Sequence, residues 1–293
     1  VEPIQVVVRR GGVVESCHRV HAVAVAGDEV ARSAGNPHLV AFVRSAAKPL
    51  QALPVVRARP DLEEVEIAIA CASHLARPEQ LDAVRSLLAK APAEAAELEC
   101  GSDPTPLEHN CSGKHAAMLA LCRERGWESR GYRLGGHSCQ RAMLEEVAGA
   151  AGLAPEEVPT AVDGCGVVTF ALALERMARA FARLESLEGG DRVAAAMRAH
   201  PDLLRAPGSP DVVLMRALPG WLAKSGAEGV LCASSPEGVG LALKVEDGAS
   251  RAVPAALGAF LGDLGMDLGD ILGPVAIRSS RGEVVGDIRA DPS

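Results

Sequence analysis

The sequence predicts an α/β fold of the α+β kind, one antiparallel sheet formed by N- and C-terminal strands with a helical region inserted between them. Three observations predict it. Strand-like alternation clusters at the two ends of the 293-residue chain. The middle carries apolar residues near the helical period. No internal repeat, low-complexity tract or linker separates the parts. The expected organisation is a single domain over 1–293, with sheet residues at about 1–43 and 225–290 and helices at about 44–224.

Ile4 to Val8 and Val13 to Val25 read as strands around the turn Gly11-Gly12, with Gly27-Asp28 marking the next turn. Ser45 to about Val56 has helical spacing. Glu66 to Cys71 is a short apolar run that reads as a strand and leads into Ala72-Ser73-His74. Pro78 to Lys90 opens with Pro-Glu, as helix starts often do. A Pro-, Asp- and Ser-rich loop from Gly101 to Pro106 precedes His109 to His115, and an apolar helix then runs to Arg125. Gln140 to Gly152, Thr169 to Leu187 and Val193 to Arg198 read as helices. Toward the end, Gly229 to Ala233 and Val239 to Val245 form one predicted hairpin around Pro236-Glu237-Gly238. Pro274 to Ser279 and Val284 to Arg289 form another around Arg281-Gly282.

Bulk properties narrow the function. A net charge of -8 with no basic stripe argues against nucleic acid as the main partner. No apolar run approaches the roughly 20 residues that span a bilayer. Val1-Glu2-Pro3-Ile4-Gln5 does not resemble a signal peptide, so a cytoplasmic location is expected. The eight cysteines are then expected as reduced thiols, with Cys17, Cys71, Cys100, Cys122, Cys139 and Cys232 acting as small buried hydrophobes. Only five of the 30 basic residues are lysine: Lys48, Lys90, Lys114, Lys224 and Lys244. Where arginine serves for general charge, a retained lysine points to a role that requires a neutral amine.

Ser45 and Lys48 stand three residues apart where an extended run gives way to a helix, so the two side chains share a face. A serine at a helix start lies beside N–H groups suited to a developing oxyanion, and a neutral lysine is suited to take its proton. Taken alone, the motif also fits an N-cap serine and a solvated lysine. Lys224-Ser225-Gly226, ahead of a strand, repeats the order seen in hydrolases with a Ser-x-x-Lys nucleophile, though the usual Ser-x-Asn element is missing. Ser73 with His74 offers a second serine. Cys111-Ser112-Gly113-Lys114 and Cys165, the latter between glycines and following Asp163, offer two thiols and an amine. His109 or His115 stands near enough in sequence to complete a zinc site. His137-Ser138-Cys139 lies in a Gly-rich stretch and is read as structural. No Gly-x-Ser-x-Gly element and no dinucleotide loop is present.

Arg44-Ser45-Ala46-Ala47-Lys48, Ala70-Cys71-Ala72-Ser73-His74, Asn110-Cys111-Ser112-Gly113-Lys114-His115, Asp163-Gly164-Cys165 and Ala223 to Gly229 together resemble the rhizobial-type L-asparaginases, the asparaginase II family. The resemblance runs in the family's order from about Val13 to Val245. It implies a serine β-lactamase/glutaminase-like fold, a homodimer and hydrolysis of L-asparagine, a small-molecule substrate, to aspartate and ammonia. It implies Ser45 with Lys48 and Ser73 with Lys224 as catalytic pairs. It further implies zinc on Cys111, Lys114 and Cys165, aiding substrate binding more than activating water. Arg44, His74, Asn110, Asp163 and Gly226 are implied to line the site. His109 stands where the family usually has Asn, and the segment from Cys100 to His109 is shorter than the family's.

The mechanism expected is acyl transfer, with Ser45 attacking the side-chain amide carbon and water hydrolysing the aspartyl ester. A free lysine is only about 0.1% neutral near pH 7.4, so Lys48 has to be shifted down, by burial and by the Lys224 ammonium. Rival readings are a glutaminase or broader amidase with the same residues, and a non-catalytic zinc- or amino-acid-binding protein.

Overall fold

The sequence pattern at both chain ends resolves into one large sheet. A computed structural model describes residues 1–291. Strands β1 (Ile4–Arg10), β2 (Val13–Ala26) and β3 (Glu29–Ala34) open the chain, followed by β4 (Val40–Phe42). The helical region then holds α1 (Lys48–Ala58), α2 (Glu64–Ala70), α3 (Pro78–Lys90), α4 (Ser112–Arg125) and α5 (Ser138–Ala151). Strands β5 (Thr160–Val162) and β6 (Val168–Ala173) interrupt it before α6 (Leu174–Arg183), α7 (Gly190–Ala199), α8 (Pro201–Leu204) and α9 (Pro210–Ala217). The chain returns to the sheet with β7 (Leu222–Gly226), β8 (Val230–Ser234) and β9 (Val239–Val245). It ends with α10 (Val253–Asp263), β10 (Val275–Arg278) and β11 (Val284–Ala290).

The eight-stranded sheet runs β10-β11-β1-β2-β9-β8-β7, with β3 also on β2. Every pairing in it is antiparallel. The long β2 joins the two chain ends: its first half pairs β1 and its second half pairs β9, from Val20 opposite Val245 to Ala26 opposite Val239. This is the predicted fold class, and both C-terminal hairpins form where the sequence places them. The close approach of α6 to β9 explains Gly240, where a Cβ would lie 1.9 Å from the Ala178 carbonyl oxygen.

Four local expectations are corrected. Residues 66–71 are not a strand: Glu64–Ala70 is helix, capped reciprocally by Glu63 and Glu66. Thr169 to Ala173 is not helix but part of β6, which pairs β4 and β5 in a separate three-stranded sheet. Helix α6 begins only at Leu174. The helix expected from Ser45 starts at Lys48, because Arg44–Ala47 forms a 3₁₀ turn with Arg44 at φ 54°. Cys17 is exposed, since alternation along β2 turns its neighbour His18 inward instead. Strand β3 and helices α9 and α10 carry no strong sequence signal. Among the described residues no helix is long and apolar enough to cross a membrane.

Helix α1 is the spine of the helical region. Its residues from Lys48 to Val56 are all buried, so the lysine at its first position has no route to water along the helix. Burying an amine this way is costly unless it finds partners or gives up its proton.

Candidate active site

Two glycines let the functional segments meet. A Cβ on Gly226 of β7 would lie 2.7 Å from the Val43 carbonyl oxygen, so the strand end abuts the 3₁₀ turn that carries Ser45. A Cβ on Gly113 would lie 2.1 Å from the Ile69 carbonyl oxygen, so α4 starts hard against the end of α2. The segment leaving α2 is strung between two neighbours, with Ser73 N–H donating to Leu204 O at 2.8 Å and His74 N–H to Asn110 O at 3.1 Å.

Ser45, Ser73, Asn110, Arg205, Gly226 and Glu228 line one cleft of about 440 Å³. Directly behind Ser73 lies Lys48, fully buried. Its Nζ donates to Ser73 Oγ at 3.1 Å and to the Ala72 carbonyl oxygen. Among the described residues no side-chain hydrogen bond joins Lys48 to Ser45. The side-chain contact expected between them is not made, because the Lys48 amine is engaged by Ala72 O and Ser73 Oγ instead. The 3₁₀ turn that carries Ser45 consumes N–H groups expected to hold an oxyanion: Ala46 N–H bonds Val43 O at 3.2 Å, and Lys48 N–H bonds Ser45 O.

Desolvation lowers the pKa of Lys48, and the Lys114 charge adds to this while Cys111 and Cys165 oppose it. Lys224 is fully buried as well, and desolvation brings it down to about 8 against the opposing pull of Asp211. Its Nζ donates to Ser225 O at 2.9 Å and stands 3.5 Å from Asp211 Oδ2. Asp211, also fully buried, accepts Ser225 N–H at 2.9 Å, so one carboxylate fixes both the lysine and the strand. Asp211 escaped the sequence reading. Its position just after Ser209-Pro210, at the start of a short helix, looks like ordinary first-turn acid.

A second cluster lies behind the first. Lys114 Nζ donates to Cys165 Sγ at 3.1 Å, and all three of Cys111, Lys114 and Cys165 are buried. The two thiols share a hydrogen bond that lowers Cys111 and raises Cys165. Burial opposes the lowering of Cys111, while Lys48 and Lys114 support it. Burial also opposes charge on Lys114, but Cys165, Cys111 and Asp163 outweigh it and raise its pKa. Two thiols and one amine gathered in one buried cluster fit the nitrogen and sulfur preference of zinc. Among the described residues no group of three or more His, Cys, Asp or Glu is arranged to hold a metal, so such a site depends on Lys114 as a ligand.

The remaining predicted residues sit beside the cleft. Arg44 Nε pairs with Asp163 Oδ1 at 2.7 Å, on the Cys165 side. His74 is buried and turned away, bonding Ser112 Oγ at 2.7 Å through Nε2 and accepting Ala76 N–H through Nδ1. Burial, then the Lys48 charge, pushes it down to about 4, so it is a neutral strut between the Ser73 segment and α4. His109 Nδ1 accepts Cys111 N–H at 3.1 Å. His115 faces Tyr132, with 2.7 Å between Nδ1 and the phenol oxygen. Another concavity of about 420 Å³, between Glu64, Arg192 and His200, holds no nucleophile.

A family model described as L-asparaginase II matches residues 6–290. No curated protein matches the sequence. Among solved structures, one described as Mglu is similar at 14% identity and a TM-score of 0.49, covering 87% of this chain and 69% of the other. A beta-lactamase from Mycobacterium bovis is similar at 17% identity and a TM-score of 0.39, covering 83% of this chain and 94% of the other.

Proposed function

The chain belongs to the L-asparaginase II family and is an amidohydrolase of the L-asparaginase type, and we propose that it hydrolyses L-asparagine by acyl transfer to a serine of the cleft. The observation that carries the chemistry is the 3.1 Å hydrogen bond from the buried Lys48 amine to Ser73 Oγ, in a cleft that Ser45 also lines. A desolvated amine in contact with a hydroxyl is a general base in waiting.

In this reading Ser45 Oγ attacks the carboxamide carbon, and its proton passes through Ser73 to Lys48. The tetrahedral intermediate collapses as Lys48 returns the proton, by way of Ser73, to the departing nitrogen. Ammonia leaves and an aspartyl ester remains on Ser45. Water, activated along the same route, releases aspartate. Asn110, which lines the cleft, supplies a side-chain amide N–H to the oxyanion, since the Ala46 and Lys48 N–H groups are already spent. The Lys48–Ser73 contact also favours a second reading, in which Ser73 is itself the nucleophile. Ammonia release from L-asparagine and L-glutamine by the wild type, Ser45→Ala and Ser73→Ala proteins tests both, with mass spectrometry of quenched reactions to locate the ester. An ester that persists in Ser45→Ala moves the nucleophile to Ser73. Glutamine turned over faster than asparagine makes the enzyme a glutaminase.

Zinc is held in this proposal by Cys111, Lys114 and Cys165. When bound, it supplies a fixed positive charge behind the cleft that favours substrate binding. Because Lys114 and Cys165 hold protons without metal, loading releases them and strengthens with rising pH. Replacing Cys165 with Ser is expected to lower zinc content in elemental analysis, and unchanged content removes Cys165 from the ligand set.

A further inference from the structure

The cleft carries two residues of opposite charge, Arg205 and Glu228, whose charged groups form no hydrogen bond or ion pair among the described residues. Arg205 follows α8 and is half-buried. Arg205 lines the cleft, and its guanidinium donates no hydrogen bond and meets no carboxylate among the described residues. Its main chain, by contrast, is fastened. The Arg205 carbonyl oxygen accepts Gln80 Nε2 and Arg77 Nη2, each at 3.1 Å, and Gln80 is fully buried. The adjacent Leu204 oxygen takes the Ser73 N–H. The cation is therefore projected from a rigid support tied to the same segment as Ser73.

Glu228 stands in the turn between β7 and β8 and lines the same cleft. It is not a glycine, yet its φ is 61°, a strained conformation for a side chain of this size. Lys244 Nζ holds its carbonyl oxygen at 2.7 Å. A Cβ on Gly248 would lie 2.4 Å from Glu228 Oε2, so the glycine leaves room for the carboxylate. The Glu228 side chain forms no hydrogen bond or ion pair among the described residues and is not paired with Arg205, though its charge acts on Lys244.

We propose that Arg205 and Glu228 form the headgroup subsite for a zwitterionic α-amino acid, Arg205 taking the α-carboxylate and Glu228 the α-ammonium. Unpaired charges in a cleft cost little while water reaches them, and each gains a partner when the substrate expels that water. The guanidinium fork suits a carboxylate better than a second ammonium would. Lys224 also lies close enough to feel the Arg205 charge, but its own charge is opposed by Asp211. That leaves Arg205 as the uncompensated cation. The proposal rests on the asparaginase reading and adds to it the reason a free amino acid is preferred over a simple amide.

The test crosses two variants with three amides: L-asparagine, succinamate (no α-amine) and 3-aminopropanamide (no α-carboxylate). Arg205→Met is expected to raise KM for L-asparagine and succinamate on the order of 100-fold. It should leave the slow turnover of 3-aminopropanamide unchanged. Glu228→Gln is expected to weaken L-asparagine and 3-aminopropanamide by roughly 10-fold and to spare succinamate, a smaller effect because Glu228 is more exposed. Arg205→Lys should recover part of the loss. Equal losses on all three amides, or an unchanged KM for L-asparagine, overturn the subsite. Calorimetric binding of L-aspartate keeps this separate from the reaction. If the wild type releases ammonia from no amide, the hydrolase reading fails by itself. Tighter L-aspartate binding by wild type than by Arg205→Met then still supports the subsite, and equal or absent binding by both refutes it.

Discussion

Two fully buried lysines stand beside the cleft, and a carboxylate next to only one of them sets their surroundings apart. Lys224 has a carboxylate: Asp211, as buried as itself, stands 3.5 Å away and also grips the strand on which the lysine sits. Lys48 has no carboxylate partner among the described residues, although the Cys111 thiol favours its charged form. It donates to a carbonyl and to a serine hydroxyl, and a thiol group lies behind it. In a dry interior a counter-ion is what keeps an amine charged. Asp211 thus favours the charged form of Lys224, although burial still brings it down to about 8, while Lys48 is the amine in contact with a serine hydroxyl. The Ser-x-x-Lys and Lys-Ser-Gly elements look alike in sequence as a serine beside a lysine. The fold gives them different partners.

The strongest test of that division is activity. Lys48→Met is expected to cut ammonia release from L-asparagine by roughly 10²–10⁴-fold, the usual worth of a general base. Its thermal midpoint should hold or rise, because an apolar chain replaces an amine that burial disfavours. Lys224→Met should lose less in kcat and keep the pH profile of the wild type. If the two variants fall equally and share one altered profile, both amines exchange protons and the distinction collapses.

Much of this arrangement was legible in the sequence, and the parts that were not have physical reasons. The hairpins around Pro236-Glu237-Gly238 and Arg281-Gly282 announce themselves through alternation broken by turn residues. The 64–70 segment did not: its acids and apolar residues alternate, and a helix this short shows too little of its own period. The continuous apolar run of β6 reads equally well as the front of α6. At the site, Ser45, Ser73, Lys48 and the Cys111–Lys114 stretch stand in recognisable motifs. Asp211 and Arg205 do not, because their importance comes from what packs against them more than from what adjoins them. The Lys48–Ser73 contact likewise spans 25 residues and depends on where α2 ends. His74 adjoins a site serine in sequence yet turns its ring into α4.

A smaller but sharper test removes the carboxylate and leaves the amine. Asp211→Asn strands Lys224 with no counter-charge, and breaking a buried pair from one side costs about 3–5 kcal/mol. Chemical denaturation should show this as a lower midpoint at constant slope. The double variant Asp211→Asn with Lys224→Met should recover much of the loss, since no buried charge is then left unpaired. A double variant no more stable than Asp211→Asn would place the value of Asp211 in its bond to the Ser225 N–H, not in the ion pair.

The smallest effect expected is in the pH dependence of stability, and it asks whether Asp211 fully holds the proton on Lys224. Burial lowers Lys224 from 10.5 to about 8. Between those values the unfolded chain binds a proton that the folded chain has released, so this group makes stability rise with pH from 8 to 10.5. Below about pH 8 the cost of the buried ammonium is present in full, at most about 3 kcal/mol. Lys224→Met escapes it. The margin by which the variant exceeds wild type should therefore be flat below pH 8 and shrink toward pH 10.5. Cys71 is pushed up to about 12 by burial and takes stability away as pH rises above 9, but it is present in both proteins. The difference between the two curves largely removes it, most cleanly between pH 8 and 9. A margin that stays constant to pH 10.5 would mean that Lys224 never releases its proton in the folded protein. Asp211 would then outweigh desolvation, and the contrast with Lys48 would be sharper than burial alone makes it.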